Sequence, residues 1–229
     1  MSSHTPPVSP INPLPPVVVA LVLVMGVIEL AFSAGSAGLV GGPTAIGWRL
    51  EYVQRFAFSG DILDWMLAQG VYPAEHLVRF VSYPFVNPSF TSALFGIAML
   101  AALGKFVGEV LAGWAVLAVF FLASAVAAVV YALITDSAVP LVGPFPGVYG
   151  LIGAFTYLMW LRLKSLGERQ AQAFSLIGFL MGIQLVFGLL FGGTPIWIAE
   201  LAGFVAGFAL CILVMPGGFA RLRDRLRQR

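Results

Sequence analysis

Six apolar runs, at 17–40, 77–103, 110–135, 146–163, 173–191 and 195–215, dominate the chain and leave little sequence between them. Each is near the length of about 20 residues that a helix needs to cross the hydrocarbon of a bilayer. A water-soluble core could not absorb them all, because 60% of the 229 residues are apolar, only 10% are charged, and the mean hydropathy is +0.97. The sequence predicts an all-α, polytopic membrane protein with six transmembrane helices and both termini on one side.

Basic residues orient such a chain, since short loops rich in Lys and Arg stay cytoplasmic. With the termini inside, Lys105, Arg162, Lys164, Arg169, Arg221, Arg223, Arg225, Arg227 and Arg229 fall on the cytoplasmic side, and only Arg49, Arg55 and Arg79 fall outside. The segment 1–16 is proline-rich and lacks Lys and Arg, and Glu29 interrupts the run that follows. It reads as a disordered leader before a retained helix rather than as a cleaved signal. The expected organisation is this leader, a membrane domain at 17–215 and a basic cytoplasmic tail at 216–229. A bacterial inner membrane is the expected location. Cys211 lies alone in the last run and reads as a small packing residue.

One connection is long. Residues 41–76 carry Trp48, Tyr52, Phe56, Phe58, Trp65 and Tyr72 among Arg49, Glu51, Arg55, Asp61 and Asp64. The stretches "WRLEYVQRFAF" and "GDILDWMLAQ" therefore read as interfacial helices, with rings at headgroup depth and charges toward water. Glycines recur at helical spacing: Gly104 and Gly108; Gly147, Gly150 and Gly153; Gly178 and Gly182; Gly203 and Gly207. Such spacing lets helix backbones approach closely. Two carboxylates, Glu29 and Glu200, interrupt apolar runs, where an ionisable group is costly and marks a site by default. Structural readings stand beside the functional one: Glu29 near a helix end or paired with a loop arginine, and Glu200 hydrogen-bonded to Gln184 or Tyr149. His/Cys clusters with ligand spacing and phosphate loops are absent from the sequence, and the near-neutral outer surface offers no nucleic-acid footprint, so no metal, cofactor or nucleic acid is expected.

Three features in this order resemble the rhomboid superfamily of intramembrane serine proteases: the amphipathic first loop, "LVGPFPGVYGLIGAF" at the fourth run, and "AELAGFVAGF" in the sixth. Arg79 and "GKFVGEVLAGW" fit the same family. The resemblance implies a six-helix rhomboid-like bundle whose active members pair a serine in Gly-x-Ser-Gly with a histidine in Ala-His-x-x-Gly-x-x-x-Gly. Here Gly143, Gly150, Ala199, Gly203 and Gly207 match, but Phe145 stands at the serine position, Pro146 at the following glycine and Glu200 at the histidine. The positions that supply side-chain oxyanion donors in the family hold Ser92 and Gly96.

A serine hydroxyl needs a base within hydrogen-bond reach to become a nucleophile, and the only histidines, His4 and His76, stand outside the apolar runs. The expectation is a rhomboid-like pseudoprotease that binds or regulates a transmembrane client without cutting it. Phe85, Phe90, Phe95, Leu185 and Phe187 are the candidate client contacts, and the partners are a membrane protein and the lipid bilayer. Two alternatives stand: a divergent but active intramembrane serine endopeptidase, and a small transporter or channel that uses Glu29 and Glu200.

Overall fold

The structure, a computed structural model, describes residues 13–215. Most of the expected leader and the whole expected basic tail lie outside the described residues. The described chain is helical, and its elements follow the sequence order: α1 (Pro16–Ser36), α2 (Trp48–Phe56), α3 (Gly60–Gln69), the one-turn helices α4 (Ala74–Leu77) and α5 (Arg79–Ser82), α6 (Phe90–Gly108), α7 (Gly113–Ile134), α8 (Phe145–Leu166), α9 (Ser175–Phe191) and α10 (Ile196–Val214).

Five of these elements, at 16–36, 90–108, 113–134, 170–191 and 196–214, are long and apolar enough to cross a membrane. Their outward faces carry exposed Leu, Val, Ile and Phe, as lipid contact requires. The chain is an integral membrane protein. α8 spans 22 residues but falls outside that group. Glycines, tyrosines and the terminal Arg162 and Lys164 dilute its hydropathy, and it tolerates this because its neighbours are mostly protein. Residues 146–154 are all buried.

The second apolar run departs from expectation. It was expected to be helical from 77, yet α6 starts at Phe90 after α5, a 3-10 turn at Tyr83–Phe85 and an extended stretch. Pro84 and Pro88 are the cause: Pro88 disfavours helical backbone at Asn87, and the Ser89 hydroxyl then caps α6 by accepting from the Ser92 amide at 3.2 Å. The two interfacial stretches do form helices, α2 and α3. A pair of backbone bonds between Phe58 and Leu141 (3.1 and 2.8 Å) joins their loop to the α7–α8 connection.

The centre of the bundle is α8 against α10 and α7. A Cβ at Gly150 would meet the Ala123 side chain, one at Gly153 the Phe204 carbonyl, one at Gly203 the Pro146 carbonyl and one at Gly207 the Gly150 carbonyl. Gly104 and Gly108 receive Val18 and Pro15 from α1 and its cap. Among the described residues, a Cβ at Gly178 or Gly182 would meet nothing within 4 Å. α9 buries Ile177 alone of its residues, so its glycine spacing packs against no helix among the described residues. Gly207→Ala is therefore expected to lower the thermal unfolding midpoint in detergent, with overpacking costing about 1–3 kcal/mol or more. Gly178→Ala should hold or raise it, since alanine favours a helix by about 1 kcal/mol over glycine. Equal effects of the two substitutions would remove the α8–α10 contact from its central role.

Candidate functional site

The chain enters α8 through a left-handed glycine. Gly143 has φ +85°, a conformation that glycine reaches without strain, and its amide donates to the Tyr83 carbonyl at 3.0 Å. Pro144 caps the helix, and Phe145 and Pro146 form its first two positions. A helix start leaves its first amides unpaired, so prolines fit there with little loss. Phe145, at the position of a nucleophile in the resemblance, is half-buried.

The neighbouring positions are filled by packing. A Cβ at Gly96 would stand 2.5 Å from Pro144 Cγ and 3.1 Å from its Cδ. The proline ring thus occupies the space into which a side chain at 96 would extend. A Cβ at Gly147 would stand 2.5 Å from Ser124 Oγ and 2.8 Å from the Phe120 ring. The Ser124 hydroxyl is committed to the Phe120 carbonyl at 2.8 Å, and the Tyr83 hydroxyl donates to the Ser124 carbonyl at 2.9 Å. Burial pushes the Tyr83 hydroxyl above its ordinary value, which keeps it a neutral donor. The Ser92 side chain is half-buried at the first turn of α6.

Glu200, at the base position in the resemblance, is buried on α10 and accepts a hydrogen bond from Gln184 of α9, with Tyr149 of α8 beside it. The carboxylate thereby stands where three helices meet. His76, the histidine among the described residues, stands in the long connection between α1 and α6, edge-on to Trp65 at 5.9 Å. Two cavities, of about 430 and 300 Å³, lie against the connection between α1 and α6, and neither is lined by Phe145 or Glu200.

Glu29 has a strong partner. Arg49 Nη2 and Nη1 donate to its two oxygens at 2.5 and 2.9 Å, and Ser33 Oγ adds a third bond at 3.1 Å. Arg49 Nη1 also donates to the Asn87 carbonyl at 2.9 Å, and the guanidinium lies 5.2 Å from the Phe32 ring centroid. A single fork therefore ties α1, α2 and the approach to α6. Asn87 escaped the sequence reading. It is 1% exposed, and its Oδ1, which makes no hydrogen bond among the described residues, would be 3.2 Å from a Cβ at Gly143. An asparagine held before proline in an apolar run, "FVNPS", is the signal that could have pointed to it.

Of the candidate client contacts, Phe90, Phe95, Leu185 and Phe187 are exposed. Phe85 is not with them: its ring packs on Phe121 and Phe120 of α7, with centroids at 5.9 and 6.5 Å. Glu29→Leu is expected to strand the Arg49 charge at a cost of about 3 kcal/mol, the usual penalty for breaking a buried pair. The double variant Glu29→Leu/Arg49→Met should recover most of it. Thermal unfolding and proteolysis within 41–76 read both effects, and equal losses in the single and double variants would contradict the pairing.

In comparison with known families, the family model described as Rhomboid domain aligns with residues 74–217, more than half of the chain. No curated protein matches the chain.

Proposed function

The chain belongs to the rhomboid family, and on that premise we propose that it is a pseudoprotease, which engages a transmembrane segment of another membrane protein and does not cleave it. The reading rests on one observation above the others: the Pro144 ring fills the space beside Gly96 where an oxyanion donor would extend. An oxyanion donor is worth about 3 kcal/mol in the transition state, and glycine at 96 supplies none. Phe145 and Glu200 at the nucleophile and base positions point the same way. Glu200 is engaged by Gln184 and Tyr149, which fits a structural tie between helices better than a base or an ion relay.

In this proposal α8 is a sixth span, buried among its neighbours, and the termini face the cytoplasm of a bacterial inner membrane. The client lies beside α6 and α9, on the exposed Phe90, Phe95, Leu185 and Phe187. α9 suits such a role because it is the span with least of itself buried, and weakly packed elements are the ones that move.

Purified protein is expected to take up no fluorophosphonate probe. The variant Phe145→Ser/Glu200→His should also stay unlabelled, since Pro144, Pro146 and Gly96 remain. Labelling of the wild type at a serine, abolished by substituting that serine, would establish the divergent protease instead. For the client, a photoreactive residue at Phe187 is expected to capture a membrane protein that the same residue at the lipid-facing Leu30 does not. Equal capture at both positions would remove the client surface.

A further inference from the structure

The 300 Å³ cavity at the connection between α1 and α6 is lined by Arg55, Phe56, Glu75, His76, Val78 and Arg79. Its charged lining is mainly cationic. The one carboxylate, Glu75, is 79% exposed and lies 3.9 Å from His76 Nε2, on the side of the ring away from Nδ1. Arg79 is fixed in place by its other end, Nη1 donating to the Gln54 and Ala57 carbonyls at 3.1 and 2.8 Å.

That anchoring leaves two nitrogens without a function in the fold. Arg79 Nε and His76 Nδ1 are buried and make no hydrogen bond among the described residues. A guanidinium cannot shed its proton to escape the penalty. An unmet buried donor costs about 1–3 kcal/mol, and more when it is charged. Burial pulls the Arg79 guanidinium below its usual value, and Glu75 opposes this only in part, so a further anion would be favourable there. Arg55 adds a second guanidinium from the exposed face of α2, 5.6 Å from the Phe56 ring centroid.

We infer that this cavity binds a phosphate group, with the lining side chains of Arg79 and His76 turning their unpartnered nitrogens to its oxygens and Arg55 completing the charge. Three donors from separate side chains suit an anion with several oxygens, and arginine is the residue that phosphate geometry favours. The cavity is larger than a lone carboxylate needs. Its aromatic surroundings, Phe56 and Trp65, belong to the depth of lipid headgroups, so a phospholipid headgroup and free phosphate are the two sources of the same chemistry. The cavity does not include Phe145, Glu200 or Gly96, and its occupancy is independent of whether the protein cleaves a client.

Titration calorimetry on the full chain in neutral maltoside micelles, at constant ionic strength, tests this with two ligands: short-chain phosphatidylglycerol and inorganic phosphate. Arg55→Gln and His76→Leu change side chains that make no hydrogen bond holding the loop among the described residues, and each is expected to weaken binding about tenfold, the equivalent of one lost charge-assisted bond. Arg162→Gln, on the last turns of α8, should leave it unchanged. Saturable lipid binding with this dependence, and none by inorganic phosphate, assigns the headgroup as the source. Saturable inorganic phosphate with the same dependence assigns the free ion. Absence of binding by both ligands, or binding indifferent to Arg55 and His76, overturns the site.

Discussion

Two helices in a bilayer gain nothing by hiding leucine from leucine, because the lipid tails are as apolar as the side chains. They associate when their surfaces fit closely enough for dispersion and backbone contacts to exceed what lipid offers. In this protein that closeness comes from α8 and α10, where Gly203 rests on the Pro146 carbonyl and Gly207 on the Gly150 carbonyl. Any side chain at those positions would separate the two backbones. The position of α7 follows, since Ala123 fills the space beside Gly150 and Phe120 the space beside Gly147. α1 and α6 then assemble outside this centre, with Val18 received at Gly104.

The long connection between α1 and α6 is held by different physics. At the rim of a membrane, charges can be paired rather than avoided, and Arg49 joins Glu29 to the Asn87 carbonyl while Arg79 gathers two carbonyls at the end of α2. The Phe58–Leu141 backbone pair completes the attachment on the far side. Loop and bundle are coupled through residues 83–87. Tyr83 accepts from Gly143 at the start of α8 and donates to α7, and Asn87 lies between Arg49 and Gly143. The geometry at the head of α8 thus depends on contacts contributed by the loop.

Much of this was legible in the sequence, for physical reasons that also mark where reading stops. Long apolar runs and interfacial aromatics are local signals, and they placed α1, α7, α9, α10 and the helices α2 and α3 within a few residues. The start of α6 was missed because hydropathy does not register what Pro84 and Pro88 do to backbone amides. Glycine spacing was ambiguous by nature: the same interval that packs α8 on α10 faces open space at Gly178 and Gly182. Glu29 announced itself as costly, but its partner lies 20 residues away in α2, and only the fold could choose Arg49 among Arg49, Arg55 and Arg79. Phe145, Glu200 and Gly96 were readable one by one as departures from the motifs the chain resembles. The contact between Gly96 and Pro144 was not, since nothing in a linear sequence says that a proline ring stands where a side chain at 96 would extend.

That last contact also couples two positions 48 apart in the chain. With Pro144 present, a Cβ at 96 would stand 2.5 Å from its ring, so a larger residue at 96 fits only if the ring or α6 shifts. The tolerance of α6 for a side chain at 96 is thus set by the residue at 144, at the start of a different helix.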